Sequence, residues 1–261
     1  MNRSSNKTTL TRRAGILDEL ESKGQVSVSE LSKSFNVSEV TIRNDLAQLE
    51  KQNMLIRARG GAIKIKMRDI GLDSPLSDKM REHFQEKQKI GRKAAKLISE
   101  GDTIILDSGT TTAEVAKNLQ QFKDLTIITN AINIATILAE NYDFNVFVCG
   151  GFMRKKSLSL VGVMADENIS SYYCDKLFLG VDGIDRKHGL STPNVEEAHL
   201  NSVMIEVAKK VIVVTDSSKF FRRRFAAIAP ISRIDTLVTD DGISDQDKQM
   251  LEQSGIEVII A

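Results

Sequence analysis

Apolar residues recur at helical spacing over the first fifty positions and then shift to short, unbroken apolar runs. Leu10, Ile16, Leu17 and Leu20 form the first helical stripe, which begins near Thr8 and is stopped by Gly24. Val26-Ser27-Val28 reads as a short β-like piece. Ser29 is placed to cap a second short helix carrying Leu31 and Phe35. Asn36-Val37 makes a tight turn. Ser38 then caps a third helix in which Ile42, Leu46 and Leu49 share one face. Three short helices with a few-residue turn between the second and third follow the helix-turn-helix plan.

Asn53 ends the third helical pattern, and Met54-Leu55-Ile56 starts a strand. Two β-prone runs joined by Gly60-Gly61 predict a hairpin. Asp69, Gly71, Asp73, Ser74 and Pro75 are breakers and mark a linker. A helix is expected over Ser77–Ile98, with Phe84, Ile90, Ala94, Leu97 and Ile98 as its apolar positions. From Thr103 onward strands are predicted at Thr103–Leu106, Thr126–Thr129, Val146–Cys149, Leu177–Val181, Val211–Thr215, Thr236–Val238 and Glu257–Ile260. Helical segments lie between most of them, at Thr112–Leu119, Ala131–Glu140, Ala165–Ser171, Glu196–Lys209 and Ser244–Gln253. Strands without alternation, separated by helices, imply a mainly parallel sheet covered on both faces. The expected organisation is a winged helix-turn-helix over 8–66, a linker over 67–76 and an α/β domain over 77–261.

Composition narrows this picture only slightly. At 41% hydrophobic and 27% charged residues, the 261-residue chain has the make-up of a globular protein. It has no apolar run long enough to span a bilayer, and its N-terminus is polar, so a cytoplasmic protein is expected. Cys149 and Cys174 sit among apolar residues and have no metal or disulfide spacing. His83, His188 and His199 do not group as ligands, so neither a metal nor a cofactor is expected. Charge is uneven: residues 1–70 hold 13 Lys+Arg against 8 Asp+Glu, and the remainder 23 against 27. A basic head on an acidic body fits a nucleic-acid-binding module joined to a unit with another task.

The third helix carries the chemistry of that head. Val40, Thr41, Asn44 and Gln48 lie opposite its apolar face, with Arg43 on the flank and Ser38-Glu39 at its start. Short polar groups near a helix N-terminus suit entry into a major groove. An ordinary amphipathic surface helix has the same periodicity. The hairpin that follows decides between them. Arg57, Arg59, Lys64 and Lys66 put positive charge on both of its arms, around Gly60 and Gly61, as a wing along a phosphate backbone requires.

In the second domain the residues after each strand matter most, because ligands on such sheets bind at the carboxyl ends. Asp107-Ser108-Gly109-Thr110-Thr111-Thr112 follows the first strand and opens a helix. Its glycine, hydroxyls and exposed amides suit an anion such as phosphate, although a threonine-rich cap looks the same. It has neither the lysine of a Walker motif nor a dinucleotide glycine spacing. Thr129-Asn130, Gly150-Gly151 with Arg154, Asp182-Gly183, and Asp216-Ser217-Ser218-Lys219 end later strands. Together they offer cations and amides for phosphate, with carboxylates and Asn for sugar hydroxyls.

Gly24 to Leu31, Val37 to Leu46 with Leu49-Glu50, and Arg59-Gly60-Gly61-Ala62 resemble the DeoR/GlpR family of bacterial transcription regulators. Asp107 to Thr112, Thr129-Asn130, Gly150-Gly151, Gly180 to Gly183 and Asp216 to Lys219 resemble its effector domain, so the resemblance runs from about Thr8 to the end. The family usually has arginine where this chain has Asn44 and histidine where it has Arg59. The resemblance implies a homo-oligomeric repressor of double-stranded operator DNA. It also implies an effector domain similar in fold to ribose-5-phosphate isomerase, and release by a phosphorylated sugar. Within the family the chain is most similar to regulators of N-acetylgalactosamine and galactosamine use.

The competing reading is a sugar-phosphate isomerase with a DNA-binding appendage. Asp182, Asp185, Glu196 or Glu197 offers the carboxylate base that proton shuttling needs. Arg186, however, stands where the isomerase pattern is acidic, and Lys187-His188-Gly189 keeps little of its lysine loop. A regulator whose Glu197 serves ligand binding is therefore the expectation, with no catalytic residue.

Overall fold

Gly24 adopts a left-handed backbone (φ 74°), and its N–H bonds to the Leu20 carbonyl at 2.9 Å, which closes helix α1 (Arg3–Lys23). The computed structural model describes residues 3–51, 55–58, 60–63 and 73–261. The chain divides into two units, Met1–Ile70 and Gly71–Ala261. In the first unit α1 is followed by β1 (Gln25–Ser27), α2 (Val28–Ser34), α3 (Glu39–Lys51), β2 (Ile56–Ala58) and β3 (Gly61–Ile63). The strands form an antiparallel sheet in the order β1-β3-β2. The cap of α2 is Ser27, not Ser29: its hydroxyl accepts from the Glu30 N–H at 3.2 Å. Ser27 is both the extended last residue of β1 and the cap, so strand passes into helix without an intervening turn.

Ile16, Leu20, Leu31, Ile42, Leu46 and Leu49 are buried together, as the helical stripes predict. Each contributes on the order of 1.5–3 kcal/mol of burial. Asp45 lies buried beside them and receives Arg12 at 2.5 Å and Arg13 at 2.9 Å, which ties α1 to α3.

The second unit opens with two helices rather than the single one expected over Ser77–Ile98: α4 (Leu76–Arg81) and α5 (Phe84–Ala95). The break falls at His83, which has a left-handed backbone (φ 50°). Lys87 of α5 supports it by donating to the carbonyls of Lys79 and Glu82 at the end of α4. No Gly or Pro marks the break, because a tertiary contact satisfies the freed carbonyls.

Then follow β4 (Thr103–Leu106), α6 (Thr110–Ala116), β5 (Thr126–Thr129), α7 (Ile132–Asn141), β6 (Asn145–Val148), β7 (Phe152–Arg154), β8 (Ser159–Val161), α8 (Val163–Ser170) and β9 (Cys174–Leu179). The chain continues through β10 (Gly183–Asp185), β11 (Gly189–Thr192), α9 (Val195–Val207), β12 (Ala208–Val214), β13 (Ala226–Ala229), β14 (Thr236–Thr239), α10 (Asp245–Gln253) and β15 (Glu257–Ile260). Seven strands make one parallel sheet in the order β15-β14-β12-β9-β4-β5-β6. Alternate side chains feed two cores. Ile105, Leu177, Leu179 and Val213 pack with α8, α9 and α10. Ile104, Leu106, Phe178, Ile212 and Val214 pack with α5, α6 and α7. The fold is thus α/β with a helix-turn-helix in front.

β9 and β12 begin three residues before the apolar runs at Leu177 and Val211, because Cys174 and Ala208 already pair across the ladder. Two small elements were not expected. The hairpin β7-β8 and the antiparallel sheet β10-β11-β13 are both inserted after sheet strands. No helix among the described residues is long and apolar enough to cross a membrane.

Candidate functional site

The head presents one solvent-facing side of α3. Ser38 caps the helix by accepting from the Thr41 N–H at 3.2 Å. Glu39, Val40, Arg43, Asn44 and Gln48 are exposed on that side, and Val40 is 62% exposed although apolar. Arg43 pairs with Glu39 at 2.6 Å, an exposed i,i+4 pair of the kind that contributes about 0.3–0.5 kcal/mol. A passing phosphate or guanine can therefore displace it at little cost.

Arg57 occupies another position. Its backbone N–H donates to the Glu50 carboxylate at 3.1 Å, and its guanidinium donates to the Arg43 carbonyl at 3.3 Å. It braces the wing on α3 rather than extending from it. Gly60 is exposed at the hairpin turn with φ 82°. Gly61 is buried, and a Cβ there would meet the Val26 carbonyl, so its role is to let β3 approach β1. Arg59 and Lys64 lie outside the described residues.

In the second unit a pocket opens between the carboxyl ends of β4, β9 and β12. From β4 the chain turns to α6 on one face of the sheet, while α9, which follows β9, lies on the other. The crevice sits where adjacent connections diverge. Asp107, Ser108, Gly109, Thr110, Thr111, Asp182, Glu197 and Lys219 line it together. Thr112, Thr129, Asn130, Gly150, Gly151, Arg154 and Gly183 do not.

Asp107 is buried and fully engaged. Its carboxylate accepts from Gly109 N–H at 2.9 Å, Gly180 N–H at 3.0 Å and the Thr112 hydroxyl, which locks the β4 loop to the end of β9. Burial pushes its pKa up to about 7 against those hydrogen bonds. Asp182 receives Lys79 at 2.8 Å and lies 3.9 Å from Lys219. Burial alone would raise its pKa, but Lys79 and Lys219 outweigh it and hold the carboxyl below its ordinary value. Glu197 is reached through the Asn194 cap of α9, accepts from Ser159 at 2.8 Å, and is held by Arg154. Arg154 also bonds Asp73 at 2.5 Å. It therefore orients Glu197 from behind the pocket wall.

Asp216 is 1% exposed and lines the pocket, with Oδ1 accepting from the Ser218 N–H at 3.1 Å. Its Oδ2 is buried and has no hydrogen-bond partner among the described residues. A buried carboxylate oxygen left unpaired is costly and stands ready for an O–H or N–H donor. Lys87 lies on the same pocket, and burial lowers its pKa although Asp216 opposes this.

The remaining strand ends serve the framework. Thr129 accepts from the Ala131 N–H, Asn130 donates to the Leu160 carbonyl, and Gly150 N–H donates to Asn168. Gly151 and Gly183 allow close approach to Val161 and Arg222 backbone. Arg224 donates to the Asp182 carbonyl at 3.3 Å. Sequence reasoning missed Ser74, Leu76, Lys79, Lys87, Lys156, Ser157, Thr192, Asn201 and Thr215, all pocket-lining. One signal was present: Lys87 stands on the apolar stripe of Ile90 and Ala94, at i+3 and i+7. Among the described residues no group of His, Cys, Asp or Glu could hold a metal.

A helix-turn-helix with a wing, followed by an α/β unit with a charged strand-end pocket, defines a class of two-domain DNA-binding regulator. Residues 12–68 match the DeoR-like helix-turn-helix domain and residues 82–241 the DeoR C-terminal sensor domain. The chain is 41% identical over 252 residues to a protein assigned as the aga operon transcriptional repressor of Escherichia coli, covering 97% of this chain and 94% of that one. It is 36% identical to the transcriptional repressor GlcR of Bacillus subtilis, covering 95% of each. It is 34% identical to the glycerol-3-phosphate regulon repressor of Escherichia coli, covering 88% and 90%. A solved ribose-5-phosphate isomerase A from Methanocaldococcus jannaschii is similar at 16% identity over 53% of this chain and 55% of that one, with a TM-score of 0.40. The chain belongs to the DeoR family and is a DNA-binding transcriptional regulator, not an enzyme.

Proposed function

We propose that this regulator represses a sugar-catabolic operon in the cytoplasm and leaves its operator when a phosphorylated sugar fills the strand-end pocket. The observation that carries the ligand class is the unpaired Oδ2 of buried Asp216 in a pocket that also holds Lys79, Lys87 and Lys219. Cations meet a phosphate, and Asp216 accepts a sugar hydroxyl or amine. The backbone amides and hydroxyls of Ser108 to Thr111 add donors for the same anion. Relatives named for the aga operon and the glycerol-3-phosphate regulon support sugar-derived control, and amino-sugar phosphates head the candidates.

The chain acts as a homo-oligomer that docks paired α3 helices on a repeated operator. Effector binding favours an arrangement whose heads no longer match the half-site spacing. Arg43, with Ser38, Glu39, Val40, Thr41, Asn44 and Gln48, faces the groove, while Arg57, Arg59 and Lys64 belong to the wing. The test is thermal stabilisation by a panel of hexose, pentose and amino-sugar phosphates, followed by operator release with each hit. A ligand that raises the melting point and releases DNA is expected. If no sugar phosphate does either, the reading fails.

A further inference from the structure

The outermost strand on one side of the sheet carries an apolar surface that neither DNA reading nor the pocket uses. Among the described strands, β6 pairs with β5 alone. From Phe144 to Met153 the sequence contains no charged residue and no proline. Edge strands are ordinarily guarded by Lys, Pro, a bulge or a covering element, because their unpaired N–H and C=O groups recruit other strands. β6 keeps a regular register, and its strand carries no Lys, Pro or bulge. Asn145 and Cys149 spend their N–H groups on Leu125 and Thr129 of the β5 side, so by strand alternation those of Val146 and Val148 face outward.

The neighbouring side chains extend the same surface. Phe147 and Val148 are each 45% exposed, Met153 43%, Met164 64%, and Phe152 and Val163 each 71%. Phe147 and Val148, successive on one strand, flank the edge on opposite faces of the sheet. Gly150 N–H bonds Asn168 of α8 at 2.8 Å and the Met164 methyl lies beside its Cα, which brings the start of α8 to the end of β6. Phe152 pairs with Val161 just before α8. Together these six expose on the order of 700 Å² of side chain, close to the ~800 Å² each partner gives to a standard interface.

We propose that two copies of the chain meet here, with β6 of each pairing antiparallel about a two-fold axis. A two-fold interface sets one strand against itself. In that register Asp143 and Arg154 fall outside the uncharged run, so no like charges face each other. The inference rests on the oligomeric reading above and names the surface that serves it.

Sedimentation velocity of the full-length chain, alone and as Val148→Lys, Phe152→Glu and Val163→Lys, tests it, with thermal melts as the check on folding. Val163 and Phe152 are exposed enough to be replaced without disturbing the core. The expected result is a wild-type dimer or larger, at least tenfold weaker association in the variants, and variant melts that remain cooperative, lowered only as far as the lost association requires. Hydrogen exchange at 145–153 should quicken in the dissociated variants. An oligomer that survives all three substitutions overturns this surface and leaves the oligomeric reading intact. A wild-type chain that is monomeric at every concentration overturns both.

Discussion

Lys79 of α4 donates to Asp182 at the end of β9 across 2.8 Å, joining two parts of the chain 103 residues apart. The pair lines the candidate pocket, and its carboxylate is mostly buried. Removing that charge in Asp182→Asn takes from Lys79 and Lys219 the carboxylate they share and leaves Lys79 with Asp73 at 3.9 Å. The second unit should lose stability, by no more than the ~3–5 kcal/mol that orphaning a buried charge costs. Because the folded carboxyl titrates below its ordinary value, its stabilisation is complete above about pH 4 and disappears as pH falls through the folded value. Urea unfolding of both proteins between neutral and acid pH measures this, and a parallel pH dependence would count against the pair.

Asp107 should act in the opposite direction. Its folded pKa is pushed up to about 7, far above the unfolded value, so the folded state holds a proton that the unfolded state has lost. Its contribution is complete below about pH 4 and is lost as pH rises toward 7, by at most ~1.4 kcal/mol per pH unit. Asp107→Asn should flatten that slope in denaturant titrations while keeping the loop acceptor for Gly109 or Gly180.

Arg43→Ala should lower operator affinity by about 1–3 kcal/mol. The fold should survive, because among the described residues the side chain of Arg43 engages exposed Glu39. Fluorescence anisotropy at several salt concentrations separates two roles. A phosphate contact lowers the salt slope by about one, and a guanine contact relaxes sequence preference instead. Unchanged affinity would remove Arg43 from the interface.

Asp45→Ala removes the shared partner of Arg12 and Arg13 between α1 and α3. The head should lose about 3–5 kcal/mol and with it DNA binding. Ligand binding in the second unit should persist, since that unit has its own two cores. Loss of both activities would contradict the division into units.

Linkage adds a prediction about the whole protein. If effector weakens operator binding by some factor, operator must weaken effector binding by the same factor. Calorimetric titration of the effector with and without operator measures both sides. Lys219→Met should abolish the effector titration and leave operator affinity as it was, giving a repressor that no longer responds.

The amino-acid sequence by itself determined the periodic elements. Ile42, Leu46 and Leu49 required a buried helix face, and Ser38 its cap, because both depend on neighbours within one or two turns. The unbroken runs at Ile104 to Leu106 and Leu177 to Leu179 required a sheet covered on both sides. The sequence also marked Asp107 to Thr111, Asp182 and Lys219 as strand-end chemistry, for which local composition is enough. Only the tertiary structure decided which strand ends converge. Thr129, Asn130, Gly150 and Gly151 lie at the ends of β5 and β6, where Asn130 bonds β8 and Gly150 bonds α8, whereas the pocket lies at β4, β9 and β12. Strand order sets that choice, and no short-range pattern encodes strand order. The same holds for Lys79 and Lys87, which became pocket residues because the chain breaks at His83, where Lys87 reaches back to the carbonyls of α4.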